Sequence, residues 1–140
     1  MQNVLNISGA ASLALHTMAF LSTEKTGKLL QNREIAKTLE ISENHLSKVL
    51  QRLTKAGFIE TQRGPRGGVR LVKNSQDVTL LNIFEAVEGP YTFSDCTFKG
   101  NCKFDGCIFG GKLEHLNREF MEYLADTKLS EFSLLQEFKI

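Results

Sequence analysis

Apolar residues in the first third of the chain recur at helical spacings and predict two helices. Over residues 9–21 they cover most sides of a helix, so we expect a largely buried first helix that Ser8 caps. His16 is the one titratable group within it. A shorter apolar pattern predicts a second helix over residues 33–39, and a tight turn follows at residues 40–42.

A third helix is predicted over residues 43–56, with Ser42 as its N-cap and Gly57 as the residue that ends it. Its apolar positions fall at i, i+3, i+4 and i+7 and define one buried face, formed by Leu46, Val49, Leu50 and Leu53. The other faces are polar and carry Asn44, His45, Ser47, Lys48, Gln51, Arg52 and Lys55. This helix should therefore pack on one side and present a polar surface on the other.

Two short strands are predicted next, over residues 58–61 and 69–72. The loop between them combines glycines, a proline and the two arginines Arg63 and Arg66, which is typical of a hairpin tip. Thr79 then caps a helix that is predicted to end near Val87.

The C-terminal third predicts one long amphipathic helix over residues 112–125. Its apolar stripe is narrow and near-heptad in spacing, and consists of Leu113, Leu116, Phe120 and Leu124. Such a stripe favours a seam between two helices, although packing within the same subunit is the alternative. Residues 126–140 predict a further short helix that Ser130 caps.

Together these elements predict a mainly α fold with a small β-hairpin wing, a winged helix-turn-helix followed by a long C-terminal helix. Charge is divided along the chain: residues 33–72 hold eight Lys or Arg against four acidic residues (8 − 4 = +4). Residues 74–140 hold six basic against eleven acidic residues (6 − 11 = −5). The basic region suits a polyanion such as double-stranded DNA.

A winged helix-turn-helix places its second helix in the major groove, where residues near the helix start meet base edges. The candidates for base contact are Asn44, His45 and Ser47, and those for phosphate contact are Lys48, Arg52 and Lys55. Arg63 and Arg66 can lie on the backbone or enter a narrow minor groove. The alternative is a winged helix that uses the same basic surface to bind a protein.

Composition narrows the functional class. With 41% hydrophobic and 24% charged residues, the chain resembles ordinary globular proteins. The N-terminus lacks the pattern of a signal peptide, so we expect a cytoplasmic, reducing setting in which cysteines bind metal or react. The sequence shows no paired carboxylates, nucleophile–base constellation or phosphate loop, and we expect no enzyme activity.

All three cysteines, Cys96, Cys102 and Cys107, lie within twelve residues. Their spacing differs from the Cys-x-x-Cys pairs of structural zinc and suits a loop that wraps an iron–sulfur cluster. A zinc site, a thiol redox switch and three small buried residues remain open as alternatives.

The stretches from Ile41 to Gly57, Arg63 to Leu71 and Thr79 to Gly89, with the cysteine triplet, resemble the IscR/NsrR (Rrf-two) family of bacterial transcription regulators. The resemblance covers nearly the whole chain. It implies a homodimer that binds palindromic operators and pairs through the long helix, with the stripe from Leu113 to Leu124 as the seam. It also implies a two-iron or four-iron cluster on the three cysteines and a variable fourth ligand.

The fourth ligand is not given by the usual family positions. No histidine follows Cys107 directly, and Ser12 stands where other members have an acidic residue in the first helix. A further relative uses a histidine one helical turn later, which implies His16, although a core histidine bonded to a backbone carbonyl is the alternative. The rivals are Asp95, Asp105 and His115.

On this basis we divide the chain into residues 1–90, the DNA-binding domain, residues 91–111, the sensor loop, and residues 112–140, the dimerisation helix and tail. We expect a dimeric repressor, with no membrane partner, whose operator binding is controlled by an iron–sulfur cluster that senses redox state, nitric oxide or iron. The alternative is a cluster-free thiol or zinc regulator on the same scaffold.

Overall fold

The computed structural model describes residues 7–91 and 102–133, so the prediction for Cys96 lies outside the described residues. The helices are α1 (Gly9–Ser22), α2 (Asn32–Thr38), α3 (Glu43–Lys55), α4 (Leu80–Glu88) and α5 (Lys112–Asp126). The strands are β1 (Ile59–Gln62) and β2 (Gly68–Leu71), and single 3-10 turns cover Ser75–Asp77 and Leu129–Phe132. The predicted winged helix-turn-helix fold is confirmed.

Helix α1 begins where the sequence predicts, because the Ser8 hydroxyl accepts the N–H of Ala11 at 3.0 Å. Met18 and Ala14 on its inner side are fully buried. The expectation that the helix is buried on most sides is wrong at His16, whose side chain is exposed. Small residues such as alanine raise the apolar count of a helix without marking which side faces the core.

Helix α3 is bounded by two local signals. The Ser42 hydroxyl accepts the N–H of His45 at 3.1 Å, and Gly57 follows the helix in a left-handed conformation with φ +83°. The N–H of Phe58 then bonds the carbonyl of Leu53 at 3.1 Å, which closes a Schellman motif and turns the chain into β1. Leu53 is fully buried, a burial that contributes about 2 kcal/mol.

The hairpin is antiparallel, with Thr61 opposite Val69 and Gln62 opposite Gly68. Its strands lie one residue away from their predicted bounds. Val69 also exchanges two backbone hydrogen bonds with Leu30, at 2.9 and 2.7 Å, so the segment before α2 adds a single bridge to the sheet. This bridge fixes the wing to the helix-turn-helix.

Helix α4 starts at a capping box formed by Thr79 and Asn82. The chain after α5 returns to this start: the N–H of Leu80 bonds the carbonyl of Thr127 at 3.0 Å. The 3-10 turn that follows begins after Lys128, whose N–H bonds the Glu131 carboxylate at 2.7 Å. The short helix that is predicted after Ser130 lies mostly in residues 134–140, outside the described residues.

The core joins both ends of the described chain. Leu124 of α5 and Leu129 belong to the same hydrophobic cluster as α1, α3 and α4, and they are 1% and 0% exposed. The long helix is thus packed through one side onto the winged helix-turn-helix. Within the described residues, none of the helices has the length and apolarity needed to cross a membrane.

Candidate functional site

The outward face of α3 carries one continuous polar stripe. Asn44, Lys48, Gln51 and Lys55 occur at i, i+4, i+7 and i+11, opposite the buried leucines, and all four side chains are exposed. These positions share one face because a helix turns by about 100° per residue. Gln51 is a candidate for base contact that the sequence analysis left out, although the same spacing could have identified it.

Two predicted DNA contacts lie on the flank of α3 instead. His45 lines a pocket of about 280 Å³ between α1 and the helix-turn-helix, and His16 lines the same pocket. A guanidinium nitrogen of Arg52 donates to the carbonyl oxygen of Val87, at the end of α4, over 3.3 Å. Ser47 is half-buried, and its hydroxyl donates to the carbonyl of Glu43 at 2.8 Å.

The tip of the wing exposes both predicted arginines, Arg63 and Arg66. Gly67 is required behind them because a Cβ at this position would lie 2.1 Å from the carbonyl oxygen of Gln62. The side chain of Gln31 donates to the carbonyl of Pro65 at 3.3 Å and ties the tip to the start of α2. The wing tip is therefore held against the start of α2, with both arginines exposed to solvent.

The described part of the cysteine loop exposes two thiols, Cys102 and Cys107. Gly110 and Gly111 follow in left-handed conformations, with φ of +61° and +70°, and the N–H of Gly110 bonds the carbonyl oxygen of Cys107 at 2.9 Å, which turns the backbone into α5. The N–H groups of Gly111, then Phe109 and Gly110, lower the pKa of the Cys107 thiol because each N–H dipole favours the thiolate. Thiolates are the form that binds iron.

His16 is not a core residue. Its Nδ1 lies 2.6 Å from the carbonyl oxygen of Ser12, one turn earlier in α1. A carbonyl only accepts hydrogen bonds, so Nδ1 carries the hydrogen and the neutral ring keeps a lone pair on Nε2. Histidines that bind metals are commonly oriented in this way, by a bond from the other ring nitrogen to a backbone carbonyl.

The structure places two of the three rival ligands, Asp105 and His115. Asp105 is exposed in the loop, and Asp95 lies outside the described residues. His115 is exposed on α5, with its Nε2 3.8 Å from the Glu119 carboxylate. Residues 7–91 and 102–133 contain no group of three or more His, Cys, Asp or Glu side chains that could hold a metal ion.

The predicted dimer seam is divided by the structure. Leu124 is buried in the core of its own subunit, whereas Leu116 is 40% exposed. Leu113 and Phe120 are half-buried, so their exposure is intermediate between that of Leu124 and that of Leu116. Tyr123, which the sequence analysis left out, is 52% exposed and lies seven residues from Leu116 on the same face.

Comparison with known proteins agrees with this fold. A model of the Rrf2 family, described as iron-dependent transcriptional regulators, matches residues 7–133. Similar proteins include the HTH-type transcriptional regulator NsrR of Bacillus subtilis, 32% identical over 124 residues that make up 86% of this chain and 83% of that protein. NsrR of Bacillus licheniformis is 30% identical over 86% of this chain and 84% of that protein.

Two solved structures share the fold. CymR (YrzC), the global cysteine regulator of B. subtilis, superposes with a TM-score of 0.75 and 24% identity over 93% of this chain and 97% of that one. T. potens IscR gives a TM-score of 0.71 and 23% identity over 91% and 85%. Both likenesses show that the chain shares the winged-helix fold of these proteins.

Proposed function

The chain belongs to the Rrf2 family of transcription regulators, and on that premise we propose that it is a homodimeric repressor whose operator binding is controlled by an iron–sulfur cluster. The observation that carries the proposal is the pair of exposed thiols, Cys102 and Cys107, just before α5, where backbone N–H groups lower the pKa of the Cys107 thiol. A lowered thiol pKa favours the thiolate, which is the form that binds iron.

Three cysteines would hold the cluster from one loop: Cys102 and Cys107 of the described residues, together with Cys96. When bound, a cluster supplies a redox-active group that can be lost under oxidising conditions or on exposure to nitric oxide. The chain's own part is to present thiolates on a loop between α4 and α5. A change in the conformation of that loop would then affect both the long helix α5 and the winged helix-turn-helix, which is called the reading head below.

His16 of a partner subunit is the proposed fourth ligand. Its side chain is exposed on α1, and its Nδ1 is occupied by the Ser12 carbonyl at 2.6 Å, which leaves Nε2 directed away from that bond. A ligand from the partner would link the loop of one subunit to the reading head of the other.

Replacement of His16 by alanine tests this role. We expect the folded protein to keep iron but to show a shifted visible absorption spectrum and faster loss of that absorption in air, because one ligand is replaced. His115→Ala is the matched control, since it removes another exposed histidine. An unchanged spectrum and an unchanged response to oxidants in His16→Ala would rule out the ligand role.

The DNA-binding surface is proposed to consist of the α3 stripe and the wing tip. Asn44, Ser47 and Gln51 would meet base edges in the major groove, and Lys48 would neutralise a phosphate. The wing arginines, Arg63 and Arg66, would follow the backbone or the adjacent minor groove.

Lys48→Ala and Arg66→Ala are expected to weaken operator binding and to lower the slope of log K against log salt by about 1 each, because each removes one phosphate contact. Titrations at several salt concentrations with a fixed operator fragment measure both effects. Lys112→Ala, an exposed lysine on α5, is the control and should leave the slope unchanged. Wild-type binding by both test variants would refute this docking.

Anaerobic purification followed by iron and sulfide assays and a visible spectrum tests the cluster itself. The proposal requires stoichiometric iron and acid-labile sulfide and a broad visible absorption. Protein purified in this way without iron or sulfide, yet folded, would exclude cluster control.

A thiol switch without a cluster is the second candidate, and the same feature of Cys107 favours it. A thiol whose pKa is lowered by backbone N–H groups has more thiolate at neutral pH and reacts faster with oxidants. Iron-free protein whose operator affinity changes reversibly with peroxide and dithiothreitol would establish this candidate in place of the first.

A further inference from the structure

Helix α3 is called the reading helix here, because it is the helix proposed to enter the major groove. Arg52 lies in its last turn, on the flank of the helix and not on the outward polar stripe. It is seven residues after His45, so these two side chains share one side of α3. His45 lines the pocket against α1, and Arg52 reaches the carbonyl of Val87 at the end of α4. This side of α3 therefore borders the chain's own helices, although both side chains are exposed at its edge.

The contact suits an arginine for two reasons. Val87 is in the last turn of α4, where carbonyl groups lack helical partners and the helix dipole is negative. A guanidinium satisfies such a carbonyl and interacts favourably with that end of the helix.

The same turn of α4 is the base of the cysteine loop. The carboxylate of Glu85 accepts the N–H of Tyr91 at 3.0 Å, and the Tyr91 hydroxyl donates to the carbonyl of Asn117 in α5 at 3.0 Å. The ring of Tyr91 also packs on Phe84, with centroids 5.6 Å apart. Tyr91, the last described residue before the loop, is thus fixed to both α4 and α5.

The last turn of α4 also touches the start of α1, because the Ser8 hydroxyl donates to the carboxylate of Glu88. One turn of helix therefore joins the base of the loop, the cap of α1 and the reading helix. A displacement of the chain at Tyr91 reaches Arg52 through two intervening contacts, those of Glu85 and Val87.

We propose that Arg52 is a positioning residue, which sets the orientation of the reading helix according to the position of the cysteine loop, and is not a phosphate contact. The inference deepens the proposed function and rests on it for the identity of the signal. The placement of α3 by Arg52 does not depend on the cluster, so the two ideas fail separately.

The test compares Arg52→Ala with Lys48→Ala, which serves as the phosphate-contact reference. In salt titrations of the iron-free protein, Arg52→Ala should bind the operator about three- to tenfold more weakly, the scale of one hydrogen bond. Its salt slope should equal that of the wild type, because counterion release depends only on phosphate contacts. Arg52→Lys, which can still donate to the carbonyl, should recover most of the affinity.

The second readout is the ratio of operator affinities with and without the cluster. Arg52→Ala should bring this ratio close to one, whereas Lys48→Ala should lower both affinities and keep the ratio. The proposal is overturned if Arg52→Ala lowers the slope of log K against log salt by about 1. It is also overturned if this variant keeps both the wild-type operator affinity and the wild-type ratio of affinities with and without the cluster. Thermal unfolding of each variant shows that the comparison is made on folded protein.

A wild-type chain that carries no cluster refutes the cluster proposal alone. The salt-slope comparison still decides the role of Arg52 in that case.

Discussion

Replacement of Cys107 by serine is expected to leave the anaerobically purified protein with less than about a tenth of the wild-type iron and sulfide. A serine hydroxyl keeps its proton at neutral pH, whereas the backbone N–H groups around Cys107 lower the pKa of the thiol and favour the thiolate. Cys102→Ser should behave in the same way, because a cluster needs thiolate from each position of the triplet.

The structure of the remaining chain should be unaffected by these substitutions. Both thiols are exposed and lie outside the hydrophobic core, so melting temperatures within about 2 °C of the wild type are expected. Operator binding should persist in both variants but lose its response to oxidants or nitric oxide. Asp105→Asn, in the same loop and equally exposed, is the matched control and should keep iron, sulfide and the response.

The outcome separates the candidate mechanisms. Iron and sulfide that remain in both serine variants would disprove coordination by these cysteines. If the wild type itself holds no iron, and Cys107→Ser alone abolishes the response to peroxide, the thiol switch is the mechanism. Loss of zinc in place of iron and sulfide would identify the zinc regulator.

Local signals made the helices predictable. Ser8, Ser42 and Thr79 each satisfy N–H groups of the next turn through their own side chains, and a cap depends on residues within one turn. Gly57 ends α3 for an equally local reason, since its left-handed φ is strained for other residues. The predicted bounds of all five helices therefore agree with the structure to within one or two residues.

Contacts between distant segments were not predictable in this way. The bridge between Leu30 and Val69 joins residues 39 positions apart, and the return of Thr127 to Leu80 joins residues 47 apart. Neither pairing leaves a pattern in its own segment. Neither pairing was therefore predicted from the sequence.

The direction of polar side chains on α3 was only partly predictable. Periodicity separates the buried face from the rest, but it does not tell which polar residues face DNA and which face the chain's own helices. His45 and Arg52 turn toward α1 and α4, a placement that depends on how these helices pack. The exposure of His16 follows from the same packing.

The two faces of α5 differ in their burial, and the exposed face is the one that could pair with a second subunit. Its inner face is committed to the core through Leu124, which is 1% exposed. Its outer face leaves Leu116 and Tyr123 at 40% and 52% exposure, and both are large apolar groups. We infer that these two residues, flanked by Leu113 and Phe120, form the contact between the two long helices of a dimer.

Glu substitutions at Leu116 and Tyr123 together are expected to convert the dimer into a folded monomer, because two carboxylates from each chain would meet across the seam. Sedimentation equilibrium or light scattering at fixed concentration measures the change. Val72→Glu is the control and should remain dimeric. Val72 directly follows β2, outside the proposed seam, and is 50% exposed.

The monomer should bind a palindromic operator at least about 100-fold more weakly than the dimer. Two reading helices must meet half-sites about 34–36 Å apart, and the second half-site adds affinity of about 10²–10⁴-fold only when both belong to one particle. Gel-shift titrations with the full operator and with a single half-site measure this difference. A double variant that remains dimeric, or a monomer that binds the full operator as tightly as the wild type, would show that α5 does not set the spacing of the reading heads.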